Sequence, residues 1–257
     1  MEVRGQRTLE ILASQTNVDM DFPVVTAKAR NLGYRFMVAE AWWILTGQNA
    51  VETIKPYSKQ IERFSDDGVH FAGAYGPPVI DQLTYIVDSL QRDKQTRQAV
   101  LSIWRPNPRD SKDIPCTVSV QWLIRDNYLH CIDNMRSSDA WLGWPYDIFN
   151  FTMLTAHILQ LLKKRGSGYE NLELGTLTLN AGSQHLYERD LENVEKVLKN
   201  EEEYPCPGFI PDEIFGNYGS IPFYLELVKD SNRYPVPLSG FLQPLFKERY
   251  GDKCGTP

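Results

Sequence analysis

The chain has 257 residues, a formal net charge of −6 and 42% apolar residues. This length fits one large domain or two small ones, and the apolar fraction supports a core. The negative charge argues against a nucleic-acid polymer as partner, although a local arginine cluster can still bind one phosphate group. Four cysteines without metal-binding spacing, no apolar leader and no long apolar run predict a reduced, cytoplasmic protein without a membrane span.

In chain order, the first part of the sequence predicts one strand and two helices. Residues 7–13 read as a short strand, and Tyr34–Leu45 as an apolar helix that stops before Gly47. Residues 57–79 are polar and contain Gly and Pro, which predicts a loop-rich insertion. Residues 81–92 carry apolar side chains at helical spacing, so a second helix is expected there.

The remainder of the chain predicts a sheet with further helices. Strands are expected at 97–104, 116–125, 128–135 and 172–179, with Asp126-Asn127 as a hairpin turn, and helices at 148–164 and 190–198. Residues 203–257 are rich in proline, which disfavours long helices. No change of composition divides the chain. We therefore predict a single α+β domain over residues 1–257, with a large mixed β-sheet flanked by helices.

Two runs of sequence carry most of the chemistry. The first places Cys116 after a proline, at the head of a β-branched, strand-like stretch. The second, MRSSDAWLGWPYDIFNF, spaces five polar or small residues over about three helical turns of sequence. These are Arg136, Ser137, Asp139, Gly143 and Asp147. A nucleophile, an anion-binding arginine and two carboxylates at fixed offsets predict covalent chemistry on an anionic substrate.

These runs resemble the core of the thymidylate synthase family. Five further segments match in the same order between about residues 22 and 187, namely FPVVTAK, AEAWWILTG, AYG, TRQAVLSIW and SQHLY. Each segment alone is weakly diagnostic, but seven in the family's order are specific. The resemblance implies a thymidylate synthase-like fold that dimerises through its sheet, 5,10-methylenetetrahydrofolate as co-substrate, and no metal.

The resemblance also implies the roles of individual residues. Four would be catalytic: Cys116 as the nucleophile, Glu40 as a proton relay, Tyr75 as the active-site tyrosine and Asp147 at the base. The substrate-binding residues would be Arg4, Arg97, Arg136, Ser137, Asp147, His185 and Tyr187, with Arg97 reaching the phosphate of the partner's site across a homodimer. The folate-binding residues would be Asp139, Leu142, Gly143 and Tyr146.

Asp147 stands where the uracil-specific members of the family carry Asn, and this replacement predicts a cytosine substrate. Uracil offers an N–H at position 3 and a carbonyl at position 4, which an amide complements. Cytosine offers an acceptor and an amino group, which a neutral carboxyl complements. An ionised Asp147 would instead pair with a base protonated at nitrogen 3.

Other departures bear on the reaction. Thr117 follows Cys116, where thymidylate synthases usually have His, and the phage deoxycytidylate hydroxymethylases resemble this chain at that position. Gln98 follows Arg97, where many members of the family have a second arginine. The stretch from Val51 to Tyr75 lacks the tryptophans that shield the transferred carbon in the family. A less shielded intermediate is open to water, which favours hydroxymethylation.

The leading hypothesis is therefore a dCMP hydroxymethylase of a bacterial cell, with a phage gene as one source. The alternatives are a dCMP 5-methyltransferase producing dihydrofolate, a CMP hydroxymethylase, a thymidylate synthase, and a silent relative that binds nucleotide or mRNA. The plain reading of each residue also stays open at this stage, with Cys116 as an inert core thiol and Glu40 and Asp147 as surface carboxylates.

Overall fold

The structure is a computed structural model that describes residues 2–3, 5–107, 110–231 and 240–251. A mixed sheet forms its centre. Its strands are β1 (Glu2–Val3), β2 (Gln6–Asp19), β3 (Val100–Ser102), β4 (Thr117–Arg125), β5 (Tyr128–Met135), β6 (Ser138–Asp139) and β7 (Glu173–Tyr187). The strand order is β1-β2-β7-β5-β4-β3, with β6 beside β7. The pairs β5–β7 and β6–β7 are parallel, and the other pairs are antiparallel.

Helices surround this sheet. They are α1 (Tyr34–Leu45), α2 (Val51–Ile54), α3 (Gly76–Arg92), α4 (Trp144–Arg165), α5 (Leu191–Lys199), α6 (Pro211–Tyr218), α7 (Ile221–Lys229) and α8 (Gln243–Tyr250). Short 3-10 turns occur at Lys28–Arg30, Ile61–Phe64 and Glu188–Asp190. The predicted α+β class, with a mixed sheet flanked by helices, is confirmed.

The core lies between the sheet and α4. Side chains of β5 alternate, so that Leu129, Cys131, Asp133 and Met135 point inward. Trp122 on β4 is fully buried, and its Nε1 donates a hydrogen bond of 3.0 Å to Thr155 Oγ1 on α4. This packing directs the N-terminal turn of α4 toward the end of β5, where the motif residues follow.

The predicted helices at 34–45, 148–164 and 190–198 occur, but two helices begin earlier than predicted. Helix α4 starts at Trp144 rather than at residue 148. Helix α3 starts at Gly76 rather than at residue 81, because Pro77 and Pro78 occupy its first turn, where a backbone N–H has no helical acceptor. A Cβ at Gly76 would lie 2.5 Å from the Gln48 carbonyl oxygen, so only glycine permits this close approach. The loop-rich segment at 57–79 therefore ends with the start of a helix, and it also contains one 3-10 turn.

Two strand predictions were too short and one was too long. Strand β7 continues to Tyr187 because β2, which reaches Asp19 rather than residue 13, pairs with it from Thr8 to Asp19. Of the strand predicted at 97–104, only Val100–Ser102 forms a strand, and this part pairs with β4. Strand β6 was not predicted, since two residues carry no periodicity.

The C-terminal segment forms short helices, as its prolines predict. Pro211, Pro222 and Pro244 each lie in the first turn of one of them. Helix α7 packs against α1 and α4. Among the described residues, no helix has the length and apolar character needed to cross a bilayer.

Candidate active site

Cys116 lies directly before β4, and Arg136 holds the loop that carries it. The backbone N–H of Arg136 donates to the Cys116 carbonyl at 2.8 Å. Its guanidinium donates to the carbonyl oxygens of Pro115 and Ile114, each at 2.9 Å, and Nη2 lies 4.0 Å from Cys116 Sγ. A guanidinium at this distance favours the thiolate, which is the reactive form of cysteine.

The segment before Cys116 is also fixed by a hydrogen bond and a close approach to the loop that precedes α3. The Gly73 N–H donates to Asp113 Oδ2 at 2.7 Å, and a Cβ at Gly73 would lie 2.5 Å from the Asp113 carbonyl oxygen. Tyr75 Oη accepts a hydrogen bond from the Thr117 N–H at 3.0 Å. Sequence reasoning identified Tyr75 but missed Gly73 and Asp113, although the small-residue run FAGAYG was a signal of close packing.

A cavity of about 210 Å³ opens at the thiol. All four predicted catalytic residues, Glu40, Tyr75, Cys116 and Asp147, line it. Part of its wall comes from the apolar side chains of Ile61, Phe64 and Phe71. The structure therefore brings the four residues together, in a site whose wall at 51–75 contains no tryptophan.

Glu40 projects from α1 into this cavity. Asn150 Nδ2, from α4, donates to Glu40 Oε2 at 2.8 Å. Burial raises the pKa of Glu40 to about 7, and the Asn150 hydrogen bond opposes this rise only in part. A carboxyl with this pKa gains and loses protons near neutral pH, as a proton relay requires. Asn150 was not predicted, because a buried amide within an apolar helix carries no motif of its own.

Asp147 lies in the first turn of α4. A Cβ at Gly143 would lie 3.4 Å from Asp147 Oδ2, so the carboxyl rests against the backbone of the preceding turn. Burial raises the pKa of Asp147 well above its usual value, and the nearby acidic groups Asp133, Glu40 and Asp139 raise it further. These effects favour the protonated form of the Asp147 carboxyl, which is the form that can donate a hydrogen bond.

A second group of side chains lies on the other side of that turn, around Asp139. Asp139 Oδ1 accepts hydrogen bonds of 2.9 Å from the N–H groups of Trp141 and Leu142. The β6–β7 pairing sets Asp139 beside His185, with 4.0 Å between Asp139 Oδ2 and His185 Nε2. Ser137 Oγ lies 3.5 Å from His185 Nδ1. Three predicted ligand-binding residues are thus assembled by one short strand pair.

The remaining predicted residues extend this group. Tyr146 Oη accepts a hydrogen bond from the Gly33 N–H at 3.3 Å, and its ring packs edge-on against Phe36. The His185 and Tyr187 rings meet at 5.4 Å between centroids. Both belong to β7, because the pairing with β2 prolongs this strand beyond the predicted residue 179. Leu142 is 41% exposed and is available to a ligand.

The predicted phosphate ligand Arg97 is not part of this assembly. Arg97 is exposed, and the register Val100↔Gln121 sets it toward the end of β4 remote from Cys116, on the order of 20 Å along the strand. Its carbonyl accepts a hydrogen bond from Gln121 Nε2. Arg4 lies outside the described residues. The described residues also contain no group of three His, Cys, Asp or Glu side chains arranged to hold a metal ion.

Comparison with known proteins identifies the family. The sequence model of the thymidylate synthase family matches residues 2–212. The chain belongs to the thymidylate synthase family. Members of this family transfer a one-carbon unit from methylenetetrahydrofolate to carbon 5 of a pyrimidine nucleotide, and the chain is assigned to this reaction class.

Individual relatives agree with this assignment. The chain is 26% identical over 261 residues to thymidylate synthase 1 of Bacillus spizizenii, covering 96% of this chain and 84% of that enzyme. It is 26% identical over 215 residues to the thymidylate synthase of Bacillus mojavensis, covering 78% of this chain and 73% of that enzyme. The solved structure of thermostable thymidylate synthase A from Bacillus subtilis shares the fold, with a TM-score of 0.64 and 23% identity over 77% of this chain and 73% of that one.

Proposed function

We propose that the protein is a cytosine-nucleotide member of this family, and that it converts dCMP, methylenetetrahydrofolate and water to 5-hydroxymethyl-dCMP and tetrahydrofolate. The observation that carries the proposal is Asp147, a carboxyl that lines the cavity of Cys116 and whose pKa burial raises well above its usual value. A neutral carboxyl donates to nitrogen 3 of cytosine and accepts from its amino group, whereas uracil would meet a donor with a donor. Mispaired buried groups cost about 1–3 kcal/mol each.

Cys116 starts the proposed reaction. Its thiolate adds to carbon 6 of the base, which makes carbon 5 nucleophilic, and Arg136 stabilises the thiolate and the substrate phosphate. Because thiolate addition makes nitrogen 3 more basic, the hydrogen bond from Asp147 strengthens along the reaction path, as catalysis requires. Glu40 then moves the proton that must leave carbon 5, through its position in the same cavity.

The residues around the cavity fit a folate co-substrate, which supplies the one-carbon unit. The apolar wall of Ile61 and Phe64 suits an aromatic ring system. Asp139, Leu142 and Tyr146 are the residues that would hold the pterin, by hydrogen bonds and contact with exposed apolar surface.

Water is the proposed final acceptor. Trp43 of α1 lines the cavity, but the wall at residues 51–75 presents Ile61, Phe64 and Phe71 in place of tryptophans, which leaves less ring surface over the base. We propose that the methylene left on carbon 5 when tetrahydrofolate departs is open to water, which adds to it as the bond between Cys116 and carbon 6 breaks. The dCMP 5-methyltransferase differs only in this last step, where folate returns a hydride. A CMP hydroxymethylase differs only at the 2′ position of the sugar, next to His185 and Tyr187. A carboxyl at position 147, in place of the amide that complements uracil, disfavours a thymidylate synthase.

The product analysis that tests the proposal uses dCMP labelled in the base, incubated with the protein and methylenetetrahydrofolate. We expect 5-hydroxymethyl-dCMP, identified by mass. A 5-methyl product with dihydrofolate would select the methyltransferase, and turnover of dUMP in preference to dCMP would contradict the cytosine assignment. Parallel reactions with CMP test the sugar preference.

A homodimer that joins through the sheet is part of the proposal. The exposed apolar side chains Leu9, Ile11 and Leu12 of β2 are supporting evidence, since association would remove them from water. The remote position of exposed Arg97 suits a residue that completes the partner's phosphate site. A cytoplasmic location in a bacterial cell, or a phage origin, stays a prediction.

The dimer is tested by mixing two inactive variants, Arg97→Ala and Cys116→Ala. Each heterodimer regains one intact site if Arg97 acts across the interface, so an equal mixture recovers about a quarter of the wild-type sites for random pairing of closed dimers. No recovery after verified subunit exchange, or an active monomer, would contradict the shared site.

A further inference from the structure

Asp113 is an acidic residue of the catalytic cavity that the proposed reaction does not use. It comes three positions before Cys116 in the chain and lines the same cavity as the thiol. Among the described residues, the other acidic groups of that lining are Glu40 and Asp147. In the proposed reaction, Glu40 takes the proton that leaves carbon 5, and Asp147 pairs with the edge of the base. Asp113 is therefore the carboxyl that remains for the last step, in which a water molecule must lose a proton.

One oxygen of the Asp113 carboxyl is fixed, and the other stays accessible. The Gly73 N–H donates to Oδ2 at 2.7 Å. A Cβ at Gly73 would lie 2.5 Å from the Asp113 carbonyl oxygen and 3.0 Å from the Pro115 ring, so the two segments are in close contact. Oδ1 receives no hydrogen bond from the described part of the chain, yet it is not sealed off from solvent. The carboxyl is thus held in one orientation, with one oxygen able to accept a hydrogen bond from water.

A second cavity, of about 390 Å³, also borders Asp113. Its wall includes the polar side chains of Arg105, Asn107 and Ser111, and a roomy cavity with polar groups can hold water. The residues that it shares with the Cys116 cavity are Gly73, Ala74, Asp113, Ile114 and Pro115. Asp113 therefore borders space for water outside the catalytic cavity as well as within it.

The surroundings of Asp113 also make its carboxylate a better base. Burial raises the pKa of Asp113, the hydrogen bond from Gly73 opposes this rise in part, and the charge of Asp66 adds to it. A base accepts a proton most effectively when its pKa approaches the working pH. A raised pKa therefore suits a group that removes a proton from water.

We propose that Asp113 is the general base of the water step, and that its carboxylate takes a proton from the water molecule whose oxygen bonds to the methylene carbon. The electron pair of the exocyclic double bond moves into the ring and re-forms the double bond between carbons 5 and 6, while the Cys116 thiolate departs from carbon 6. Asp113 then releases its proton to solvent. This inference rests on the proposed hydroxymethyl function, since a 5-methyl product needs no water.

The test separates the water step from the steps before it. Asp113→Asn keeps an oxygen that can accept from the Gly73 N–H but loses the base. With dCMP tritiated at carbon 5, tritium release reports every step up to formation of the methylene, and 5-hydroxymethyl-dCMP reports the addition of water. We expect first-turnover tritium release within about threefold of the wild type, and hydroxymethyl formation slower by about 10²–10⁴. Intact-protein mass spectrometry should show the Cys116 adduct accumulating in the variant.

An added thiol provides an independent measurement on the same variant. 2-Mercaptoethanol adds to the methylene as its thiolate, so it needs no general base. It should restore turnover of Asp113→Asn and yield the thioether on the carbon attached to position 5, identified by mass. If Asp113→Asn does not fold, Asp113→Glu, which displaces the carboxyl by one methylene group, is read in the same way. Hydroxymethyl formation must then fall while tritium release persists.

The matched control is Asp66→Asn, an acid-to-amide change at the other anchor of the same segment. Asp66 accepts hydrogen bonds from Ser111 Oγ at 2.6 Å and from the Lys112 N–H at 3.0 Å, and it does not belong to the lining of the Cys116 cavity. Both rates should stay at the wild-type level. Equal losses in Asp66→Asn and Asp113→Asn would show that anchoring of the segment alone matters, and would overturn the role of Asp113 as a base.

The outcomes for the wild type and the variant are distinguishable. A wild type that forms 5-methyl-dCMP and dihydrofolate overturns the hydroxymethyl function and the water step together. A wild type that forms 5-hydroxymethyl-dCMP, with an equal rate in Asp113→Asn, overturns the role of Asp113 alone. A preference for dUMP overturns only the cytosine assignment, because the same two measurements then apply to tritiated dUMP.

Discussion

Two groups of acidic side chains flank the first turn of α4, and the protein treats them in opposite ways. On the cavity side, Glu40 and Asp147 are desolvated, and burial raises the pKa of each. On the other side, the Asp139 carboxylate accepts two backbone N–H groups and lies beside His185. The first arrangement favours the protonated carboxyl, whereas the second holds a carboxyl in place through hydrogen bonds from the backbone.

The comparison shows how one short run of sequence serves two purposes. Asp139 and Asp147 are eight positions apart in the chain, yet their surroundings come from different elements. On the cavity side, α1 contributes Glu40, which lines the same cavity as Asp147 and Cys116. The Asp139 side is a turn stabilised by β7, which leaves it open to a ligand.

The largest expected effect concerns the nucleophile of the cavity side. Cys116→Ala should lower kcat by about 10⁴ or more, because covalent activation of carbon 5 is lost, while dCMP binding changes by less than about tenfold. Single-turnover kinetics and equilibrium binding check this. Cys206→Ala, which removes a thiol packed near the Phe241 carbonyl, is the matched control. Retention of more than a few per cent of activity would contradict the assigned role.

Glu40→Gln, on the same side of the turn, should have opposite effects on activity and on stability. We expect kcat to fall by about 10²–10⁴, as for loss of a proton-transfer group.

Because the pKa of Glu40 in the folded protein, about 7, exceeds the value in the unfolded chain, ionisation of Glu40 weakens folding as the pH rises from about 4.5 to 7. Near pH 8 the free energy of unfolding of the variant should therefore exceed that of the wild type by on the order of 1–3 kcal/mol, and near pH 4 the two values should be equal. Denaturant unfolding at both pH values measures this difference. Equal stability at both pH values would show that the carboxyl is solvated.

Asp147→Asn tests the base specificity that the cavity side provides. The ratio of kcat/KM for dCMP to that for dUMP should fall by roughly a hundredfold, since two polar groups of the base become mispaired. The measurement is steady-state kinetics with both nucleotides on wild type and variant. An unchanged ratio would remove the basis for a cytosine substrate.

The smallest effect is expected on the binding side. Asp139→Ala should raise the KM for methylenetetrahydrofolate about tenfold with kcat changed only a few-fold, because the turn that holds the folate-binding residues loses its two hydrogen bonds. Asp139→Asn keeps an acceptor oxygen and should lie closer to the wild type. A fall in kcat as large as that of Glu40→Gln would contradict the assignment of Asp139 to binding rather than to catalysis.

The sequence alone determined the fold class, most helices, and the residues whose motif neighbours identify them. Cys116, Asp147 and Asp139 stand in runs whose order is specific, and the helix of residues 34–45 follows from local apolar periodicity. Such patterns can be recognised from the sequence because they depend on residues that are close together in the chain.

The tertiary structure alone decided the strand ends and the electrostatics of the site. β7 reaches Tyr187 because β2 pairs with it from far away in the chain, and no periodicity within β7 records that partner. Asn150, Gly73 and Asp113 support catalytic residues that are remote in sequence. The raised pKa of Asp147 likewise arises mainly from burial, because desolvation depends on which elements pack together and not on the residue type.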